Sequence, residues 1–171
     1  MNPLNEVREV KKAPKSEVAK STKAFESNRN DVQEPRHIKT DNEKLDGKRH
    51  PVTDVPYKKR EFRLNGEKVE GVFPVFESKC DVRLPKDLRK ASDSLQFKYC
   101  VKDLGKRVER SASYADTFTK RQLEQIKNGE PRISGLTWHH NEIPGKMQLV
   151  DAEKHSRSSH TGGKSLWGGG R

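Results

Sequence analysis

Apolar residues are spread so unevenly along this chain that only part of it has the means to build a core. Over residues 1 to about 56, Val7, Val10, Phe25, Val32, Ile38 and Leu45 stand singly among Lys, Glu, Ser, Asn and Asp, and no apolar face repeats at the period of a strand or a helix. The segment reads as a disordered or weakly helical basic tail, with order beginning near Tyr57. Only 29% of the 171 residues are hydrophobic and 36% are charged, against an apolar share of about 45–50% in ordinary domains, so composition points to one small domain plus a tail. No stretch approaches the roughly 20 apolar residues of a membrane span. The first thirty residues hold no apolar segment of a secretory signal peptide.

The chain carries 36 Lys and Arg against 25 Asp and Glu, a formal charge of +11. The first 50 residues hold 12 of these bases and 9 of the acids, so most of the excess lies in the part expected to fold. Such a surface suits a polyanion, because phosphates binding to Lys and Arg release counterions. Interspersed acids make a plain solvated surface the alternative. Cys80 and Cys100 belong to no C-x-x-C pair. They read as two thiols in a reducing compartment, with a bridge between them left open.

Within the second part, Glu61 to Leu64 and Glu67 to Val69 flank Asn65-Gly66, the dipeptide best suited to a tight hairpin. Val72-Phe73-Pro74-Val75-Phe76 is apolar but contains a proline that cannot donate to a ladder, which predicts an edge segment laid across the core. Pro85 suits the first turn of a helix over residues 85–91, and Ser92 caps a second helix carrying Phe97, Cys100, Val101, Leu104 and Val108. Thr119 and Gln122 form a capping box, Phe118 and Leu123 a hydrophobic staple, and Asn128-Gly129 with Pro131 closes that third helix.

Four of the six histidines fall in the last 33 residues: His139, His140, His155 and His160. Imidazole binds transition metals and titrates near neutrality, so such a cluster suits both holding a cation and taking a proton from water. Ile133 to Trp138 reads as a strand, Pro144-Gly145 as a type II turn, and Lys146 to Val150 as the returning strand. Asp151 then caps a short helix running toward Ser159 that Gly162-Gly163 stops. The expected class is α+β: a tail over 1–56, a hairpin and helical part over 57–129, and a strand, turn, strand, helix unit over 130–171.

Trp138-His139-His140-Asn141-Glu142, Pro144-Gly145-Lys146, Met147-Gln148-Leu149-Val150-Asp151, His155 and His160-Thr161-Gly162-Gly163 resemble the signature of the HNH/endonuclease VII superfamily of ββα-metal nucleases. Within it they look like the Trp-His-His branch, found as toxin domains of bacterial polymorphic toxins. The resemblance covers residues 130–168 and extends, less specifically, over 72–128. It implies His140 as the general base that activates water, and His139, His155 and His160 as ligands of one divalent cation (Mg, Mn, Zn or Ni). The order within the pair follows the related colicin-type nucleases, and Gln148 stands where the middle Asn of the motif would orient the base's backbone.

Two geometric expectations accompany that assignment. Adjacent residues of a regular strand face opposite ways, so the chain should bulge or turn at His139-His140 for both to reach one centre. His155 and His160 would lie about 140° apart on a helix, so His160 should lie beyond the last turn and fold back. Arg157, Lys164, Lys146 and Arg132 are candidates to hold phosphates, or else solvated cations. Trp138 and Trp167 either stack on a base or pack the core, and Glu142 either assists the metal or orients a histidine.

The expected function is a metal-dependent endonuclease that hydrolyses phosphodiester bonds, DNA before RNA, as the toxin domain of a larger protein made in the bacterial cytoplasm and delivered into target cells. Its expected partners are nucleic acid and an acidic immunity protein covering the basic cleft. The alternatives are an RNase toxin with the same site, and a non-catalytic nucleic-acid binder in which the histidines hold a structural zinc. His37 and His50 receive no role.

Overall fold

Asn65 and Gly66 both take positive φ, 51° and 79°, so the first hairpin turns at the dipeptide able to adopt that conformation. In the computed structural model, which describes residues 33–170, the hairpin consists of β2 (Tyr57–Leu64) and β3 (Glu67–Pro74), preceded by β1 (Arg36–His37). Residues 1–32 of the tail expected over 1–56 lie outside the described residues. The first sheet has the order β1-β3-β2, with β1 parallel to β3. A second sheet, of order β4-β6-β5, combines β4 (Asp81–Arg83), β5 (Leu136–His140) and β6 (Lys146–Asp151), all antiparallel. The helices are α1 (Asp93–Arg110), α2 (Ala112–Ala115), α3 (Lys120–Lys127), α4 (Ala152–Arg157) and α5 (Gly163–Trp167). Mixed helices and sheets bear out the α+β class, and no helix among the described residues is long and apolar enough to cross a membrane.

Order begins before Tyr57, which corrects the expected boundary at residue 56. Ile38 N donates to Glu70 O at 2.7 Å, and the buried Thr40 donates its hydroxyl to Val72 O at 2.7 Å. Bridges from Asp46 to Tyr57 and from Arg49 to Pro56 then fold the segment onto the start of β2. Periodicity missed this stretch because backbone pairing and polar side chains hold much of it, while its apolar contributions to the packing, Ile38, Leu45 and Val55, stand singly in sequence.

Pro74 is also placed differently from the expectation of an edge segment. It ends β3 opposite Tyr57, but β1 pairs with β3 only at Val69 and Glu70, so no ladder on that side requires the missing N–H. The helix expected over 85–91 is a single 3-10 turn, Lys86–Leu88, because Ser92 already caps the next helix and accepts from Leu95 N. Helix α3 forms as its capping box requires, with both reciprocal bonds present.

One core cluster joins the sheets to α1 through Leu64, Val69, Val82, Leu84, Phe97, Leu104, Trp138, Met147 and Leu149. A smaller one, Val55, Tyr57, Val72, Phe76 and Val150, lies beneath the N-terminal segment. Cys80 and Cys100 are free and buried in the larger cluster, and burial pushes the Cys100 thiol up to about 12, so it stays protonated and serves as packing.

Candidate active site

Strand β5 carries both histidines of the pair and runs in unbroken register against β6, His139 opposite Gln148 and His140 opposite Met147. The bulge expected there is absent. Because β5 is the edge strand of its sheet, its two faces can border one space beyond the edge, and both histidines do line one cavity of about 380 Å³. Asp41, His155, His160, Thr161, Gly162, Lys164 and Ser165 complete its wall. The hairpin joining the strands turns at Pro144-Gly145, where Gly145 takes φ 80° and Lys146 N donates to Ile143 O at 3.0 Å.

Asp151 caps α4, accepting from Lys154 N at 2.8 Å. The helix ends at Arg157, earlier than expected, and Gly162 caps the start of α5 instead of stopping α4. His160 therefore lies beyond the last turn and folds back, bringing its ring centroid to 4.8 Å from that of His155. Gly163 fits only because it has no side chain: a Cβ there would meet Asn141 O at 1.9 Å. That contact seats α5 against the end of β5, and Trp167 Nε1 donates to the same carbonyl at 2.8 Å.

On one face of β5, His139, His155 and His160 each present a ligating nitrogen, all within 4.8 Å of one another, so the three could hold a metal ion. Phe76 walls them, with ring centroids at 4.9, 5.4 and 5.4 Å. Burial is the main reason that all three are held below the ordinary imidazole pKa, His155 at about 4, so they are neutral lone-pair donors at pH 7. His160 Nδ1 donates to Ser158 O at 2.6 Å, which leaves Nε2 bare. A ligating histidine whose other nitrogen is fixed by a backbone carbonyl is the usual arrangement around a bound cation, so this donor set fits one.

On the other face, His140 is held by Gln96, which is completely buried in α1. Gln96 Nε2 donates to Leu88 O and Arg89 O, both at 2.9 Å, so its two amide hydrogens are used and Oε1 can only accept. Oε1 lies 2.7 Å from His140 Nε2, which must then carry the proton, leaving Nδ1 as the free base. Burial holds His140 down to about 4, against a smaller upward pull from Asp93, whose Oδ1 is 3.8 Å from Nε2. The Phe97 and Trp167 rings lie 6.1 and 5.6 Å away.

Gln148 makes no side-chain hydrogen bond to the His140 ring. It lies opposite His139, accepting from Asn141 Nδ2 at 3.0 Å and donating to Asp81 Oδ1 at 3.2 Å, and so fastens the turn after the pair. Among the four phosphate candidates, Lys164 lines the cavity and is paired with Asp93. Arg132 lies over the Phe97 ring at 5.9 Å, whereas Lys146 pairs with Asp81 at 3.8 Å and Arg157 with Glu153 at 3.4 Å, neither of them lining the cavity. Trp138 and Trp167 are buried core residues, and Glu142 is buried facing Arg60 at 3.9 Å.

Sequence reasoning missed Gln96 and Phe76 as site residues. Gln96 was detectable: it shares a stripe at spacing four with Cys100 and Leu104, and an amide on such a stripe needs partners. Phe76 gave no such sign, because an aromatic in an apolar run looks like packing.

None of the curated proteins and none of the solved structures matches this chain. A family profile does: that of the DNase/tRNase domain of colicin-like bacteriocins matches residues 65–162, more than half of the chain, and spans β3, α1, the paired histidines, His155 and His160. The chain therefore belongs to the DNase/tRNase domains of colicin-like bacteriocins, a family of nuclease toxins.

Proposed function

We propose that this domain is a metal-dependent endonuclease of the HNH type, in its Trp-His-His form, and that it cuts DNA in preference to RNA. The observation that carries the reading is one cavity lined by three neutral imidazoles that converge on a cation site and by a fourth whose tautomer is set by Gln96. His139, His155 and His160 hold the cation. A divalent ion so held supplies charge neutralisation for a phosphate oxygen and the leaving oxygen.

His140 takes the proton of the attacking water at Nδ1 and keeps its own proton at Nε2 on Gln96. Its neutral state at pH 7 is what that task requires. Lys164 lines the same cavity and meets the phosphate of the substrate, and Asp93 holds the lysine in place until then. A structural zinc fits less well. Such sites are closed by four protein ligands, whereas among the described residues the converging set is three histidines beside an open cavity.

The net charge of +11 suits both a nucleic acid and, in the producing cell, an acidic immunity protein that covers the cavity. The domain is delivered to its target as the toxic part of a larger protein.

The test is incubation of the purified chain with plasmid DNA and, separately, with total RNA, in Mg²⁺, Mn²⁺, Zn²⁺ or EDTA. Cleavage of DNA that needs the metal supports the reading. Cleavage of RNA alone moves the substrate to the other half of the family's description, and retention of DNA without cleavage under any metal refutes catalysis.

A further inference from the structure

The loop that carries His160 is held from outside the region matched by the family. Ser159 O accepts two hydrogen bonds, from Asn42 Nδ2 and from Tyr57 OH, each at 2.7 Å. Thr53 Oγ1 lies 2.6 Å from Ser158 Oγ, and Asp41 N donates to Thr161 Oγ1 at 3.0 Å. Four side chains or backbone groups of residues 41–57 thus grip three positions around His160, namely Ser158, Ser159 and Thr161, and the family match begins only at residue 65. The grip has its own footing. Thr40 is bonded to β3, Asn42 stands at φ 62°, and the Tyr57 ring is fully buried beside Phe76, which itself walls the three histidines.

We propose that residues 40–57 are a clamp that positions the third metal ligand, with Asn42 and Tyr57 as its positioning residues acting through the Ser159 carbonyl. The loop 158–161 has no ladder of its own: α4 ends at Arg157 and α5 starts at Gly163. Ser158 O is the group that fixes the His160 tautomer, so the placement of that peptide decides where His160 Nε2 points. Both lone pairs of the next carbonyl are taken by the clamp, which leaves the peptide little freedom to rotate. The inference rests on the reading of the three histidines as a cation site.

The test measures Zn²⁺ affinity by chelator competition for the wild type, His155→Ala, and the pair Asn42→Gly with Tyr57→Phe. Glycine keeps the positive φ at 42 while removing the amide, and phenylalanine keeps the buried ring while removing the hydroxyl. The double variant should lose roughly 10- to 100-fold in affinity, the range for groups that orient metal-bound histidines. Its melting temperature should also rise less than the wild type's on adding Zn²⁺. Excess Zn²⁺ should restore kcat, since His140 is untouched.

Unchanged affinity in the double variant, with His155→Ala impaired, would overturn the clamp and leave the metal site standing. Wild type that binds no better than His155→Ala would instead overturn the metal site beneath it. If the double variant fails to fold, Asn42→Gly alone decides, with a loss of several-fold expected and none refuting the clamp.

Discussion

The two faces of β5 treat adjacent, chemically identical residues differently. His139 looks toward other imidazoles, with its Nδ1 3.2 Å from His155 Nε2 and the His160 ring centroid 5.0 Å from its own. His140 looks toward an amide that can only accept, beside Asp93, Phe97 and Trp167. One face gathers lone pairs on a common point, and the other leaves a single lone pair free with its proton parked elsewhere. The regular strand produces this division, because its alternation sends neighbours to opposite sides and its edge position lets both border one cavity. On the proposed reading, splitting the pair is how the chain would separate holding a cation from moving a proton.

The sharpest way to break this comparison is to remove each histidine in turn. His140→Ala should lower the rate of cleavage by about 10²- to 10⁴-fold, the usual worth of a positioned base, with Zn²⁺ affinity little changed. His155→Ala should lower metal affinity first, and cleavage through it. Calorimetric titration with Zn²⁺ beside single-turnover cleavage separates the two. If His140→Ala weakened metal binding and His155→Ala spared it, the two faces would have been assigned the wrong way round.

A smaller effect tests what holds the base. Gln96→Met should lower kcat by about 10- to 100-fold while leaving metal affinity and KM near wild type, because the His140 ring loses the acceptor that fixes its proton. Nitrogen chemical shifts of labelled histidine report the tautomer directly. In the wild type His140 should be protonated at Nε2, and in the variant a mixture should appear. A wild-type His140 protonated at Nδ1 would sink the assignment even if the variant were slow.

The site was more legible in the sequence than its support. Strand, turn, strand and helix follow from local signals: Gly145 in the turn, Asp151 at the cap, and a spacing of five from His155 to His160, two residues that a helix cannot bring together without ending. What lay beyond reach was long-range. Asn42 bonds a carbonyl 117 residues away, and nothing around it in sequence marks that contact. The single apolar residues before Tyr57 suggested a tail, yet Thr40 and the Asp46 and Arg49 bridges hold the segment by hydrogen bonds that leave no periodic trace. Gln148 was placed by analogy with the motif, and its bonds to Asn141 and Asp81 are contacts that sequence spacing does not mark.

The smallest expected effect is on stability, and here the two faces should behave alike. His140 and His155 are each held at about 4, and His139 and His160 also lie below the ordinary value, with burial the largest cause for all four. In the unfolded chain these imidazoles take up protons near the ordinary pKa of about 6.5. In the folded, metal-free protein they do so only at lower pH, so between those limits the unfolded state binds more protons and stability falls as pH falls. In EDTA the melting temperature should therefore be level above about pH 7, decline through the window from about 6.5 toward about 4, and decline less steeply in His155→Gln, which removes one titrating group. Zn²⁺ should raise the melting temperature at pH 7 more than at pH 5, since its ligands must be unprotonated. A melting temperature in EDTA that stayed flat from pH 7 to pH 5 would mean that these imidazoles are solvated enough to titrate normally, and burial as the cause of their neutral state on both faces would have to be abandoned.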